Sequence, residues 1–233
     1  MSKISIIIPI YNEAEHISKL LKHLKLNASK ENIADITIVD GGSTDNSINE
    51  IKTSKNIIVL KSEKGRAKQM NFGAKRASGD ILYFLHADSY PPKNFDKFII
   101  EEVKKNNLAG CFKMKFDSNH LWLKLAGWFT QFPLKSFRGG DQSQFITKTL
   151  FNDIGGFNEE FAIYEDNDLI RKLYKRKQFV VIQQWLTTSA RCYNTNGVFK
   201  LQFHYWTIHI KKWFGASPKS LNNYYLKYVN VKN

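Results

Sequence analysis

Apolar and polar positions along this chain follow two periods. Short, nearly unbroken apolar runs stand at Ile4-Ser5-Ile6-Ile7-Ile8, Ile36-Thr37-Ile38-Val39, Ile57-Ile58-Val59-Leu60 and Ile81-Leu82-Tyr83-Phe84-Leu85. Runs of that length with no wet face predict strands covered on both sides, as in a parallel sheet. Pro9 is expected to stop the first of them. Between the runs the spacing turns helical. Ile17, Leu20, Leu21 and Leu24 share one face, and Gly65 to Ala74 reads as a helix of small and polar residues interrupted by Gly73. A further helix is expected to begin near Asn46, with Ser43, Thr44 and Asp45 as N-cap candidates. Strands separated by helices predict right-handed βαβ units: an α/β fold with a mainly parallel central sheet flanked by helices.

The second half is less regular. A helix is expected from roughly Phe95 to Lys105, and Ala109 to Phe116 alternates like a strand with one wet face. Leu121 to Phe129 is apolar nearly all round, so it is deeply packed or lies against a greasy surface. A loop, Phe137-Arg138-Gly139-Gly140-Asp141-Gln142, enters a strand from Ser143 to Thr147. Glu165-Asp166-Asn167-Asp168 opens a helix whose acidic start suits the helix dipole. Phe179 to Ile182 is a late strand, and Val198 to Phe214 an aromatic-rich basic helix.

Charge changes this picture most. The net charge is +14, and no Asp or Glu follows Asp168, while 12 Lys and Arg do. Such a field attracts polyanions: nucleic acid, an anionic membrane or phosphorylated substrates. Trp206, Trp213 and Phe214 among Lys200, Lys211 and Lys212 suit the interface of an anionic bilayer; a core helix with a solvated basic face is the plainer alternative. No helix-turn-helix, zinc-finger or RRM motif accompanies the charge, so no nucleic-acid partner is expected. Two cysteines make neither a zinc site nor a disulfide framework and point to a reducing compartment. Met1-Ser2-Lys3-Ile4 runs straight into the first strand, so no signal peptide is expected. No apolar stretch reaches the roughly 18–20 residues of a membrane-spanning helix. The expected location is cytoplasmic, or peripheral on the inner face of the plasma membrane.

Three carboxylates stand at strand ends or helix starts: Asp40, Asp88 and Asp166. In a parallel sheet, ligands sit beyond the carboxyl ends of the strands, so all three could face one crevice. Nucleotide transfer chemistry uses such a set: one acid for base or ribose, one for a divalent cation on the diphosphate, one to deprotonate the nucleophile. Taken singly, each is equally well a turn former or a helix N-terminal acid.

Four motifs in order, Ile6-Ile7-Ile8-Pro9-Ile10-Tyr11-Asn12-Glu13, Val39-Asp40-Gly41-Gly42-Ser43-Thr44-Asp45, Leu85-His86-Ala87-Asp88 and Glu165-Asp166, resemble glycosyltransferase family 2 over nearly the whole chain. Gly65 to Ala74, Phe137 to Gln142 and Thr188-Ser189-Ala190-Arg191 look like a small bacterial subgroup associated with radical-SAM/selenium genes. The resemblance implies a GT-A fold and an inverting, non-processive, metal-assisted transfer from a nucleotide-diphosphate sugar, commonly a UDP-sugar, to an acceptor hydroxyl. It implies Pro9, Tyr11, Glu13, Asp40 and Gly42 around base and ribose, and Arg66, Gln69 and Asn71 bordering nucleotide and diphosphate. It implies Asp88 as ligand to Mg²⁺ or Mn²⁺, and Asp166 as general base with Glu165 beside it. Asp141 and Arg191 are assigned to the acceptor side or the diphosphate, with Asp141 the competing base. The acceptor is open, a lipid-linked one included. The implied organisation is a GT-A domain over 1–195, with a nucleotide-binding half (1–115) and an acceptor half (116–195). A basic aromatic helical segment (196–233) packs on it.

Two departures stand out. The first acid of the Asp-x-Asp motif is His86, read here as strand-end packing, and the usual second acid after Asp40 is Gly41. Rival readings are a basic binding module of the same fold without catalysis, and a sugar nucleotidyltransferase. The latter's Gly-rich phosphate loop is replaced by Pro9-Ile10-Tyr11-Asn12.

Overall fold

A computed structural model describes residues 2–51 and 56–229. The first half runs β1 (Ile4–Ile10), α1 (Ala14–Asn27), β2 (Ile33–Asp40), β3 (Ile57–Lys61), α2 (Arg66–Arg76), β4 (Ile81–Phe84), β5 (Ser89–Tyr90) and α3 (Phe95–Lys104). The second runs β6 (Ala109–Phe116), α4 (Leu121–Phe129), β7 (Gln144–Thr147), α5 (Lys148–Asp153), α6 (Glu165–Lys175), β8 (Phe179–Thr188), α7 (Arg191–Asn196), α8 (Val198–Trp213) and α9 (Pro218–Tyr228).

The strands form a single sheet in the order β3-β2-β1-β4-β7-β6-β8-β5. The first four are parallel, as the apolar runs require; β7 is antiparallel to both neighbours, and β6 and β8 are parallel to each other. Ile4, Ile6, Ile8 and Ile10 bury into one core with Ile17, Leu20 and Leu24 of α1 and Phe95 and Ile99 of α3. Ile7 faces the opposite core with Ala67, Met70 and Ala74 of α2 and Leu169 and Leu173 of α6. The alternation along β1 thus supplies both layers.

β5 lies at the far edge of the sheet from β3, yet only Leu85-His86-Ala87-Asp88 separates it from β4 in the middle. Four residues bridge that gap because the sheet curls, bringing β8 and its partner β5 back over the end of β4.

Three expectations are corrected. Pro9 does not end β1, which runs on to Ile10. Ile7 O accepts from Leu85 N, so alternate residues 7 and 9 turn their backbone groups towards β4, whose pairing with β1 stops at Ile7–Phe84. The donor that Pro9 lacks has no strand to meet there. Gly73 does not interrupt α2. A Cβ at that position would lie 2.6 Å from Ile7 Cγ2, so glycine is what lets the helix press onto the sheet. No helix begins near Asn46 within residues 46–51, which form turns closed by Glu50 N donating to Asn46 O and Ile51 N to Ile48 O. Residues 52–55 lie outside the described residues.

After β8 the chain turns into α7, and then α8 and α9 pair. Ile208 and Leu221 pack with Phe161 and Ile163, seating these helices on the segment just before α6.

Candidate active site

The ends of β1, β2 and β4 open onto one rim. On its β2 side, the buried Asp40 carboxylate accepts from Gly42 N at 3.2 Å and from Ser43 N at 3.0 Å. Gly42 sits at φ +87°, the left-handed region that favours glycine. The loop after β1 is laced to the loop after β2. Asn12 N donates to Ser43 Oγ at 2.9 Å, Thr44 N to Asn12 Oδ1 at 2.8 Å and Glu13 N to Ser47 Oγ at 2.7 Å. The residues expected to cap a helix instead hold this loop. Beside it, the Lys64 ammonium stands 3.5 Å from the centroid of the Tyr11 ring. Lys64 was not among the candidates.

Two candidates are turned away from the rim. Gln69 is buried and its Nε2 donates to Ile10 O at 2.8 Å and Val39 O at 2.7 Å, clasping the ends of β1 and β2. Asn71 donates to Phe157 O at 2.9 Å and to Glu159 Oε1 at 2.8 Å. Both side chains are engaged within the fold, where the resemblance implied a place bordering nucleotide and diphosphate.

The opposite side of the rim is held by charge. Arg191, at the start of α7, forks onto Glu13 at 2.6 and 2.8 Å and reaches Asp88 Oδ2 with its Nε at 3.0 Å. Glu13 therefore points along the rim towards Asp88. Its carboxylates push the Arg191 guanidinium pKa upward, the Glu13 hydrogen bond chiefly. His86 is not merely packed at a strand end: its Nδ1 lies 3.7 Å from Asp141 Oδ1. Burial works against the imidazolium, but the Asp141 carboxylate outweighs it and the His86 pKa is raised. Loss of water works upward on Asp141 too, and His86 with Arg66 and Arg191 outweighs that, leaving its carboxyl lowered.

Asp166 and Glu165 begin α6, both buried. Residue 140 has no room for a side chain: a Cβ there would lie 2.0 Å from Asp166 Oδ2 and 3.3 Å from His86 Cε1. The Gly139-Gly140 pair thus brings the Asp141 loop directly over Asp166. Arg66 Nε stands 2.9 Å from Glu165 Oε1, yet off the line of its N–H, so neither Glu165 oxygen receives a directed hydrogen bond among the described residues. Burial pushes the Glu165 carboxyl up to about 7, with Arg66 pulling the other way. Glu165 in turn holds Arg66 firmly protonated.

For a divalent cation the fit is narrow. Among the described residues no three His, Cys, Asp or Glu converge as a metal cage. Asp88 gives one oxygen to Arg191, and its Oδ1 has no hydrogen-bond partner among the described residues. One carboxylate completed by substrate phosphates and water is how Mg²⁺ is ordinarily held, so the residues suit an ion that arrives with a diphosphate.

The curled sheet with its strand-end acids is a GT-A architecture. It is shared with S. aureus TarS in complex with UDP (TM-score 0.62, 21% identity, covering 81% of this chain and 60% of that one). It is shared also with GalNAc-T7 bound to UDP, GalNAc and Mn²⁺ (TM-score 0.66, 14% identity, 81% and 44%). The model of Glycosyl transferase family 2 matches residues 5–164, and the chain belongs to that family. An undecaprenyl-phosphate 4-deoxy-4-formamido-L-arabinose transferase of Proteus mirabilis is 24% identical over 193 residues, 78% of this chain. A dolichyl N-acetyl-alpha-D-glucosaminyl phosphate 3-beta-D-2,3-diacetamido-2,3-dideoxy-beta-D-glucuronosyltransferase of Methanococcus voltae is 36% identical over 113 residues, 45% of this chain. The chain spans 55% and 35% of the lengths of these two relatives.

Proposed function

We propose that this chain is an inverting, non-processive glycosyltransferase that moves a sugar from a UDP-sugar to an acceptor hydroxyl, with Asp166 as the base. The observation that carries the reading is the crowding of Asp166, Asp141 and His86 around Gly140, on the same rim as the Asp88–Arg191–Glu13 bridge.

In this reading Asp40, Gly42, Tyr11 and Pro9 receive the base and ribose, in the nucleotide half of the chain. The acceptor oxygen attacks the anomeric carbon, the bond from that carbon to the diphosphate breaks, and the hydroxyl proton passes to the Asp166 carboxylate. Arg191 is placed to exchange its carboxylate partners for the diphosphate and so to stabilise the charge of the leaving group. Arg66 keeps Glu165 from repelling that charge. A divalent ion, Mg²⁺ or Mn²⁺, held by Asp88 and the donor phosphates would supply further neutralisation there. Asp141 and His86 orient the acceptor. The three motifs resembling the radical-SAM/selenium-associated subgroup each contribute to this rim, through Arg66, Gly140 and Arg191, which supports that placement.

The named lipid-phosphate relatives support a lipid-linked acceptor. A seat on the inner face of the plasma membrane, through the basic segment from 196 onward, accords with it. The test is a donor screen that follows nucleoside diphosphate release with and without Mg²⁺ or Mn²⁺. One sugar nucleotide should bind saturably and lose binding in Asp88→Ala. If no UDP- or GDP-sugar binds, the reading fails.

A further inference from the structure

α8 has two apolar faces. Leu201 and Ile208 are buried against the domain. Phe199, Phe203, Trp206, Ile210 and Trp213 point the other way and are between 51% and 83% exposed. Their alternating steps of four and three place them in one stripe along the helix. α4 repeats the device with Leu121, Leu125 and Trp128, continued by Phe132 just beyond it, between 37% and 82% exposed. Trp122 joins the two stripes: its ring lies 6.2 Å from that of Phe199 and 6.0 Å from that of Trp206. The result is one continuous apolar surface, larger than scattered exposed residues account for, and such surfaces mark interaction sites.

We infer that α4 and α8 together form a docking platform for an anionic lipid bilayer, lying flat in its headgroup region. The bilayer is chosen by charge and by residue type. Segments 118–135 and 197–216 carry Lys124, Lys135, Lys200, Lys211 and Lys212 and no Asp or Glu. A second copy of the platform would set these lysines against one another, whereas anionic headgroups neutralise them. Trp and Phe rings are suited to the boundary between headgroups and acyl chains, and lysine stems reach from there back to phosphate. The α8 stripe covers about 21 Å at 1.5 Å per residue, and no described helix is long and apolar enough to cross a membrane, so the platform lies on the bilayer.

The platform also borders a polar site. Lys124 of α4 and Lys115 of β6 line an open cavity of about 420 Å³ together with Asp117, Ser118 and Thr187. Two ammonium groups beside a greasy face suit the phosphate of a lipid whose chains lie along α4. Asp117 Oδ1 accepts from Ala190 N at 2.6 Å, tying this cavity to the residue before Arg191. Resting on the transferase reading, the platform deepens it: the acceptor is delivered from the membrane plane, headgroup first.

Co-sedimentation of the full chain with phosphatidylglycerol vesicles, and with phosphatidylcholine vesicles as control, tests the platform. Binding to phosphatidylglycerol at low salt, weakened by high salt, is expected. Phe203→Ser/Ile210→Ser/Trp213→Ser should weaken it about a hundredfold, and Leu121→Ser/Leu125→Ser/Trp128→Ser about tenfold. Lys200→Glu/Lys211→Glu leaves the rings in place and should also abolish the preference for anionic vesicles. Unchanged thermal melting of each variant separates loss of docking from loss of fold. No sedimentation of the parent chain at low salt overturns the inference, as does an α4 variant that binds like the parent. A dimer in solution that the same substitutions dissociate also overturns it, making this face a contact between copies. UDP titration without vesicles keeps the two readings apart: vesicle binding without nucleotide binding leaves the platform standing and removes the transferase.

Discussion

Asp40 ends β2 and Asp88 stands four residues beyond β4, on either side of β1, and the two are held in opposite ways. Asp40 is gripped by backbone N–H groups of its own turn, in a loop tied to the next by Asn12, Ser43 and Ser47. Asp88 is gripped by Arg191, whose other branch holds Glu13. The first wall is made of hydrogen bonds within its own loops, which a ligand cannot displace without unfolding the turn. The second is made of charges, and its Arg191 side chain is 41% exposed. In the proposed reading an incoming diphosphate competes with those carboxylates for that arginine. One wall is preformed and the other is poised for exchange, a division that suits a donor recognised by its base and activated at its phosphates.

The largest effect should come from Asp166→Asn, which removes the proposed proton acceptor and leaves both walls standing. Turnover should fall about 10²–10⁴-fold while UDP binding, followed by titration, stays near the parent value. Parent turnover in this variant would move the base to Asp141. Gly140→Ala tests the placing of Asp166 by geometry. Its Cβ would stand 2.0 Å from Asp166 Oδ2, so the carboxylate must shift, and turnover should drop about a hundredfold with nucleotide affinity kept. Gln69→Ala strikes the preformed wall. It takes the side-chain donor from Ile10 O and Val39 O and should cost about 1–3 kcal/mol in denaturant unfolding. Its counterpart Glu13→Gln should cost about 0–1 kcal/mol, since a partly exposed ion pair contributes little. Equal costs for the two would dissolve the contrast.

A separate effect, outside both walls, is on pH. Burial lifts Glu165 from its ordinary 4.5 to about 7, so the folded chain holds this proton more tightly than the unfolded one. That contribution is complete below the unfolded value and is lost as pH rises through about 7. Thermal stability of the parent should therefore decline from about pH 5 to about pH 8, and Glu165→Gln should flatten the decline.

The four parallel strands were legible because each is an unbroken apolar run between turn residues, and so was the placing of Asp40 at the end of β2 and of Asp166 in the first turn of α6. What escaped was long-range or concealed. Glu13 and Arg191 stand 178 positions apart, and no local pattern announces their pairing. Gln69 and Asn71 lie in a polar, small-residue helix that reads like a ligand-binding one, yet each side chain turns to a backbone carbonyl. His86 resembled packing because the residue before it is buried, while its partner Asp141 sits on a loop that only Gly140 brings near. The apolar α4 was foreseen as packed or greasy, and it is both, with Leu123 buried and Leu121 exposed.

The short link from β4 to β5 also sets a timetable. β5 is held by Ser89 and Tyr90 pairing with Thr188 and Thr187, and Ser89 and Thr188 join hydroxyls across 99 positions. Synthesis proceeds from the N-terminus, so β1, β2, β3 and β4 can assemble while β8 does not yet exist. Until it does, Asp88 ends an untethered segment and Arg191 has not been made. Closing a contact of that span is slow compared with local pairing. A nascent chain therefore completes the Asp40 wall well before the Asp88–Arg191 wall, and closing the rim is one of the last events of its folding.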